Sequence, residues 1–592
     1  MNKFVKAFVT AALSAGFVFG AAACGGSGNQ GTGGGSGGGS GGSDLSGTVS
    51  FFVPMANVDN DALTAMANAY MDINRGVTVK LVTSTGSGYS EQVRALAATE
   101  DKSQVSIVRV SQISQYYGTD KVVDFTDYLE EENEYAEGSP SYDGTWKSVL
   151  EEDAYPIEGK AYTIPALSYE SNYTVCFYDK RAMKALMGDP DYAPKTWKDL
   201  LDLLEKAKKD GYKSPLGLSF TPSSCAGIFM GWFIKMYADQ YFRDFIDKAH
   251  SKEGDYSYIA ADKNWNYETG KNNPDFDRTG VYTSNLNRTI DTFFNNADFK
   301  VTSARFADMM KNFKDLAQYS SNMTDDRSTI LGLDETTNYW NDQTGVGGSA
   351  SGSSLLQKNV FLRPARLDSV FDYITRYALD KVENNNGDVA GIISQRFGWF
   401  ELPPMPSGTG AGAPAADNVR SLGGPVNELG IIDNGDKKAV EAAVDFLKFV
   451  LSPQGQNIRY ETYVANGYTT VMPSLVKDCT IDPRIDQTTG RSYVSGCERN
   501  PINIFTLGYG DGDIKASGEG TMTLNNKVGE LYSSYLAGSK GWDSVAADVQ
   551  KAIEDSFAEW AEYRGLKYTA FTTAAISGAT NNMTENPVKD VQ

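Results

Sequence analysis

The stretch TVSFFVPMANVDNDALTAMANAYMDINRGVTVKLV, residues 48–82, changes its pattern twice. Its ends, 48–53 and 77–82, are rich in β-branched and aromatic residues, which is typical of buried strands. The segment between them, 61–71, places apolar side chains at helical spacing. After a second helical segment, VSIVRV at 105–110 gives a third strand pattern. Strands that alternate with helices predict a parallel α/β sheet.

Three polar loops follow the predicted strands. They read MANVDND, TSTGSGYS and SQISQYYG, and they are rich in hydroxyl, amide and tyrosine side chains. In parallel α/β sheets, ligands bind beyond the carboxyl ends of the strands. We therefore expect one ligand contact from each loop, at Asn57, Tyr89 and Gln112.

The composition limits the classes of function. The chain has 592 residues, 41% of them hydrophobic, which is enough for two or more domains with their own cores. Its net charge of -21 repels phosphate backbones, so nucleic acid is not an expected partner. The single histidine, His250, lies in a polar segment, and one histidine cannot form a histidine-based metal cluster. We expect no metal, no cofactor and no catalytic residue.

The N-terminus carries the pattern of an export signal. Two lysines precede an apolar run at 7–20, and three alanines then lead to Cys24. Small residues before a cysteine resemble the bacterial lipobox, although Ala21 stands where that motif usually has leucine. We expect a lipoprotein signal peptide over 1–23, a lipid on Cys24 and a Gly/Ser tether over 24–43 that holds the protein at the outer face of the cell membrane. The alternative is an ordinary secretion signal with an incidental cysteine.

The other four cysteines differ in their surroundings. Cys479 and Cys497 flank a polar, turn-rich loop, and we expect them to form a disulfide outside the cell. A bridge there would stabilise the fold by about 3 kcal/mol, because it restricts the unfolded chain. Cys176 lies in an apolar strand pattern, YTVCFY, which is typical of a buried thiol. The sequence leaves any pairing of Cys176 and Cys225 open.

Three further runs of sequence carry a resemblance to a known family. The first is GKAYTIPALSYESNYTVCFYDK (159–180), followed by PKTWKDLLDLLEKAKKDG (194–211). The second is FGWFELPPMPSG, then SLGGPVNELGI, then EAAVDFLKFVLSPQGQ, and the third is YLAGSKGWDSVAADVQKAIE. In this order, they resemble the family 1 extracellular solute-binding proteins of bacterial carbohydrate ABC importers, the group that includes maltose-binding protein. Asp179 replaces the usual asparagine, and the chain has extra length at 239–300 and 479–518.

The resemblance implies a particular architecture. It is a two-lobed α/β fold of the periplasmic-binding-protein-like class II type, with a ligand cleft between the lobes. The chain would cross between the lobes near 168–172, near 368–392 and near 451. The implied division is lobe 1 at 44–168 with 392–451, lobe 2 at 169–391 with 452–566, and a polar tail at 567–592.

The resemblance also implies a function in which the protein binds a ligand and catalyses no reaction. The protein would capture an oligosaccharide, act as a monomer and deliver the sugar to the membrane subunits of an ABC importer. Sugars stack on aromatic rings and need paired hydrogen bonds for their hydroxyls. At the first crossing we expect contacts from Tyr169 and from Asn172, which matches a contact position of the family. The remaining candidate contacts are Trp232, Trp340, Arg366, Asp368, Gly424, Asn427 and Asn525.

Other functions stay open at this point. A surface-anchored glycosidase would need two carboxylates, and the chain has many acidic residues. An adhesin would bind a polymer without closing a cleft. A peptide ligand in the same architecture is a further alternative, although the amide-rich and aromatic-rich loops favour a sugar.

Overall fold

The structure is a computed structural model. It describes residues 45–54, 60–84, 86–98, 105–109, 120–151, 154–155, 164–212, 214–250, 252–253, 285–320, 360–367, 397–406, 410–426, 428–433, 435–466, 472–481, 497, 500–506 and 514–563.

The described strands form two sheets. In chain order they are β1 (Gly47–Pro54), β2 (Val77–Ser84), β3 (Val105–Arg109), β4 (Glu170–Asp179), β5 (Ser214–Leu216), β6 (Val360–Arg366), β7 (Phe397–Phe400), β8 (Gly423–Val426) and β9 (Leu429–Ile432). The first sheet has the order β2-β1-β3-β9, and the second has the order β5-β6-β4-β7 with β8 also paired to β4. Strands β1, β2 and β3 are mutually parallel, so the parallel α/β sheet predicted from the N-terminal pattern is confirmed.

Helices connect and cover the strands. The described helices are α1 (Asn60–Ile73), α2 (Gly86–Ala98), α3 (Lys180–Met187), α4 (Trp197–Lys209), α5 (Pro222–Ser224), α6 (Ile234–Phe242), α7 (Phe245–Ala249), α8 (Leu286–Asn295), α9 (Ala304–Ala317), α10 (Lys437–Val450), α11 (Pro453–Ala465), α12 (Asn503–Thr506), α13 (Leu524–Leu536) and α14 (Trp542–Tyr563). A π-helical segment, π1 (Cys225–Phe233), joins α5 to α6, and the Ile234 N–H donates to the Phe229 carbonyl five residues back. Short 3₁₀ turns lie at Tyr128–Glu130, Glu134–Ala136, Trp146–Val149 and Ala297–Phe299.

Helix α4 shows how local sequence sets a helix start. The Thr196 hydroxyl accepts a hydrogen bond from the Asp199 N–H, and the Asp199 carboxylate accepts one from the Thr196 N–H. This reciprocal pair, a capping box, satisfies two backbone donors that a helix start leaves unpaired. The buried face of the helix carries Leu200, Leu203, Leu204 and Ala207, as its spacing predicts.

Hydrophobic side chains form two large buried clusters, one with each sheet. In the first core, the Phe51 ring of β1 meets the Phe446 ring of α10 at a centroid distance of 6.0 Å. In the second core, the Phe229 ring of π1 meets the Phe313 ring of α9 edge-on at 4.9 Å. Each sheet thus has its own core, which gives the two-lobed α/β fold expected from the sequence.

The chain passes from one core to the other along β4 and returns along β8. Tyr169, just before β4, packs in the first core, whereas Cys176 within β4 packs in the second. On the return, Leu422 belongs to the second core and Leu429 to the first. The first crossing therefore lies where the sequence places it, near 168–172.

The later crossings differ from the expected ones. The return runs along β8 rather than near 368–392, a segment that lies outside the described residues. The chain also does not leave the first core near 451, because α11 packs on α1 and the Asn466 amide donates to Asp61 at 3.2 Å. Ser452 caps α11, and a proline follows in its first turn, so this Ser-Pro pair begins a new helix in the same lobe. The full division into signal, tether, lobes and tail stays a prediction.

Candidate functional site

Strands β4 and β8 form an antiparallel pair between the two cores, and we call residues 170–173 with 423–426 the crossing pair. Glu170 lies opposite Val426 at the first-core end, and Tyr173 lies opposite Gly423 at the second-core end. Every residue of β4 is buried. A polar strand such as this one is buried only if its groups find partners, so its contacts indicate what holds the two lobes together.

The carboxyl ends of strands in both sheets meet the crossing pair. Arg109, the last residue of β3, pairs with Leu429, close to the first-core end. Arg366, the last residue of β6, pairs with Thr174, next to the second-core end. Leu429 lies opposite Leu167, seven residues before Thr174, so the two edges are at most roughly 23 Å apart along the chain at about 3.3 Å per residue. Because α/β sheets bind ligands beyond their carboxyl edges, the space between the two edges is the candidate ligand cleft.

A buried ion pair holds the first-core end of the crossing pair. The Glu170 carboxylate accepts a hydrogen bond from the Arg459 guanidinium of α11, and the two side chains are 2% and 0% exposed. The same guanidinium donates to the Gln456 amide oxygen at 3.2 Å. Ser168 Oγ lies 2.5 Å from the Val426 carbonyl oxygen and thus ties the neighbouring loop to β8.

Aromatic rings surround the guanidinium of Arg459. Its central carbon lies 5.1 Å from the ring centroid of Tyr169, 5.6 Å from that of Tyr460 and 5.4 Å from that of Tyr463. Planar guanidinium groups stack favourably on such rings, and the stacking offsets part of the cost of burying the charge. The ion pair is therefore built into the first core and is not a surface contact.

A second buried ion pair precedes β8 at the second-core end. Asp239 of α6 accepts two hydrogen bonds from Arg420, from Nε at 2.9 Å and from Nη2 at 2.5 Å. Arg243 donates to the same carboxylate at 2.7 Å, and the Asn500 amide donates to it at 3.2 Å. Burial alone raises the pKa of Asp239, but the guanidinium charges of Arg243 and Arg420 outweigh burial and lower this pKa.

Helix α13 packs closely on π1 in the second lobe. Ser533 Oγ donates to the Phe220 carbonyl at 2.7 Å, and a Cβ on Gly529 would lie 2.7 Å from the Ala226 nitrogen. The two segments therefore run antiparallel, which places Asn525 toward the Trp232 end of π1. Both of these predicted contact residues are only partly buried.

The other described candidates are more deeply buried. Tyr89 is 4% exposed, and its hydroxyl donates to the Phe52 carbonyl at 3.2 Å, so it supports the end of β1 from within a small cluster. Tyr169 is 1% exposed and carries the Arg459 guanidinium on its ring. Asn172 is 2% exposed in the middle of the crossing pair, opposite Gly424.

The structure brings some predicted residues together and leaves others outside its described part. Asn172 and Gly424 pair across the crossing strands, and Arg366 ends the adjacent β6, with only its backbone described. Cys24, Asn57, Gln112, Trp340, Asp368 and Asn427 lie outside the described residues. As ligand contacts, all of the candidates stay predictions.

The expected disulfide is absent. In the structure Cys479 and Cys497 are not bonded to each other, and Cys176 and Cys225 form no disulfide. The reason is that the chain changes lobes between them: Cys479 packs against the first core, whereas Cys497 is buried in the second. Burial raises the pKa of the Cys479 thiol to about 12. Among the described residues, no cluster of histidine, cysteine and carboxylate side chains could hold a metal ion.

The sequence analysis missed Glu170, Arg459 and Arg420. One signal was present for Glu170, since an acidic residue inside an otherwise uncharged strand pattern, ESNYTVCFY, requires a buried partner. The partner itself, Arg459, lies 289 residues away in a helix that looks amphipathic and polar, and no local pattern marks it as buried.

Comparison with known proteins gives one match to a family model. Residues 65–346 match the family model described as bacterial extracellular solute-binding protein. No curated protein matches the chain.

Several solved structures are similar over most of their length. A family 1 extracellular solute-binding protein from Bifidobacterium longum subsp. infantis has 12% identity, covering 86% of this chain and 99% of that chain, with a TM-score of 0.44. A probable secreted solute-binding lipoprotein from Streptomyces coelicolor has 12% identity, the same coverage and a TM-score of 0.46. The bacterial solute receptor AcbH, described as having an exclusive preference for β-D-galactopyranose, has 11% identity, covering 87% and 99%, with a TM-score of 0.47.

The family model covers the first lobe from within α1 and continues through the crossing strand β4 into the second lobe. It describes binding proteins and not enzymes, in agreement with the resemblance found in the sequence. Residues 65–346 thus match the model of the bacterial extracellular solute-binding proteins, the group to which the sequence patterns point.

Proposed function

We propose that this protein is a lipid-anchored extracellular receptor that captures an oligosaccharide between its lobes and delivers it to an ABC importer. One observation supports the proposal above all others: the carboxyl edges of two separate sheets meet the same crossing pair from opposite sides. A ligand held there contacts both lobes at once. Contacts that form only when the lobes approach shift the balance toward a closed state, which an importer can distinguish from the empty one.

A sugar agrees with the chemistry of the residues around Trp232. Trp232 of π1 is partly exposed beside two glycines, Gly227 and Gly231, and a Cβ at either glycine would meet no other described atom within 4 Å. An aromatic ring beside open backbone offers the flat surface on which the apolar face of a sugar stacks. Asn525 on the neighbouring helix would supply an amide for a sugar hydroxyl.

A ligand screen tests the function directly. Purified protein is heated with a panel of mono- and oligosaccharides, and a true ligand raises Tm because it binds only the folded state. The same mixtures are assayed for new reducing ends, and we expect none. Release of reducing ends would show a glycosidase, and the absence of any stabilising glycan would refute the sugar receptor.

A matched pair of tryptophan variants tests the role of Trp232. Trp232→Leu removes the exposed ring, so we expect the affinity for the glycan to fall at least tenfold, since each lost stacking contact costs about 1.4 kcal/mol or more. Trp399→Leu changes a partly buried tryptophan in β7 and is expected to leave the affinity unchanged. Equal effects of the two substitutions would contradict a role for Trp232 in binding.

The anchor has its own test. None of the described helices has the length and apolarity needed to cross a bilayer. Anchoring by lipid on Cys24 predicts that the wild-type chain fractionates with membranes and that Cys24→Ser releases it to the medium. Mass spectrometry of the mature N-terminus shows directly whether Cys24 carries acyl chains, and an unmodified Cys24 would refute the anchor.

A further inference from the structure

Each strand of the crossing pair starts at a buried ion pair. Glu170, the first residue of β4, is bound by Arg459, and Arg420, three residues before β8, is bound by Asp239. All four side chains are at most 6% exposed. Because the strands run antiparallel, the two ion pairs lie at opposite ends of the crossing pair.

Each ion pair joins its strand to a different lobe. Arg459 belongs to α11, whose neighbour Ile458 packs against the first core. Asp239 belongs to α6, whose neighbours Ala238 and Tyr241 pack in the second core. The start of β4 is therefore held by the first lobe, and the start of β8 is held by the second.

Between the ion pairs lies a stretch of uncharged residues, which we call the pivot: residues 171–173 with 423–425. Its β8 side has two glycines and a proline, so it offers little side-chain packing. Ser171 is 0% exposed, and its Oγ has no hydrogen-bond partner among the described residues. A hinge consists of a few residues that absorb the dihedral changes of domain motion, and glycine has the widest range of such angles.

We propose that Glu170–Arg459 and Asp239–Arg420 are positioning pairs that confine the rotation of the lobes to the pivot and so set the affinity for the solute. None of these side chains needs to touch the solute. Without a positioning pair, bending spreads into the strand beyond the pivot, and the free protein samples more lobe orientations. Closing on a ligand then removes more conformational freedom, which weakens binding. This inference rests on the proposed function as a receptor whose lobes close.

The test replaces both partners of one pair by neutral side chains of similar shape, as Glu170→Gln with Arg459→Met. Removal of one partner alone would leave a buried charge and could unfold the protein, whereas joint replacement is often neutral in stability. The control is Asp244→Asn with Arg305→Met, which removes a partly exposed ion pair of the second lobe that binds neither strand of the crossing pair.

Spin labels at two exposed positions measure the lobe orientations in the full chain. The labels replace Asp72 of α1 and Lys551 of α14 in a Cys24→Ser background, and the distance distribution is recorded without solute. We expect the distribution to broaden in the Glu170→Gln/Arg459→Met variant and to stay narrow in the control. For a glycan found in the ligand screen, we expect the dissociation rate to rise by about threefold or more with little change in Tm.

Different failures are distinguishable. An unchanged distance distribution in the Glu170→Gln/Arg459→Met variant, or equal broadening in the control, would overturn the inference. A lower Tm with an unchanged distribution would show that the pair is only structural, which also overturns it. If the wild-type chain binds no glycan, the proposed function fails, whereas the distance measurement without solute still decides the role of the ion pairs.

Discussion

Gly529 offers a sharp test of the packing between α13 and π1. A Cβ at this position would lie 2.7, 2.8 and 2.9 Å from the nitrogen, Cβ and Cα of Ala226. Two of these are backbone atoms that no rotamer change can move away. Overpacking costs about 1–3 kcal/mol, and contacts with backbone atoms place this site in the upper part of that range, about 2–3 kcal/mol. The higher helix propensity of alanine returns about 1 kcal/mol. We therefore expect Gly529→Ala to lower the free energy of unfolding by about 1–2 kcal/mol.

The assay is denaturant unfolding followed by tryptophan fluorescence, with Tm as a second readout. A loss of this size corresponds to a Tm decrease of about 2–8 °C for a lobe of 150–250 residues. Gly227→Ala in π1 is the matched control, because no described atom lies within 4 Å of the place that its new Cβ would take, and it should gain about 0.5–1 kcal/mol. Combining Gly529→Ala with Ala226→Gly should recover part of the loss. If Gly529→Ala is as stable as the wild type, the two segments do not pack at this distance.

Three further predictions concern thiols, pH and a buried hydroxyl. In a folded Cys24→Ser chain without reductant, we expect no thiol to react rapidly with a disulfide reagent at pH 7, because burial raises the pKa of thiols such as Cys479. After unfolding we expect four thiols to react. A count of only two reactive thiols would reveal a disulfide. Burial raises the pKa of Asp239, but the neighbouring guanidinium charges lower this pKa by more, so the folded-state pKa lies below the unfolded one. The Asp239 carboxylate therefore stabilises the fold above about pH 4, and this stabilisation is lost as pH falls through the lowered pKa. The free energy of unfolding should therefore fall more steeply with decreasing pH below about pH 4 in the wild type than in Asp239→Asn. The same slope in both proteins would contradict the lowered pKa of Asp239. Ser171→Ala should leave the free energy of unfolding unchanged or raise it by up to about 1 kcal/mol, because the Ser171 hydroxyl has no hydrogen-bond partner among the described residues. Ser168→Ala should lower it by about 1 kcal/mol, because the Ser168 hydroxyl donates to the Val426 carbonyl. The opposite pattern in denaturant unfolding would refute these hydrogen-bond assignments.

The parts of the fold that follow from local patterns were predictable. The alternation of strands and helices at 48–110 and the capping box of α4 each depend on residues close in sequence. The return crossing was not predictable in this way, because β8 is only four residues long and reads GGPV, a composition that is unfavourable for strands. It forms because β4 supplies a complete row of partners.

The misassigned boundary near 451 has a similar cause. Ser452 and Pro453 end one helix and begin the next, and a Ser-Pro pair gives no indication of which lobe the next helix joins. The disulfide between Cys479 and Cys497 was predicted from the turn-rich loop between them. Such a loop suggests that its two ends lie close together, but it does not show which core each cysteine enters. In the candidate site, the residue types of Trp232 and Asn525 suggested ligand contacts, which stay predictions, whereas the buried charges of the crossing pair depend on contacts far apart in sequence.

The first core has a consequence for expression of the protein in pieces. Strand β9 completes the first sheet beside β3, and helix α10 covers β1, yet both arrive late in the chain. A fragment that stops after residue 168 would expose the edge of β3 and the apolar face beneath α10, so we expect it to aggregate. During synthesis the N-terminal segment likewise cannot finish folding until residues past 450 have emerged. The first core therefore stays incomplete for most of the synthesis of the chain.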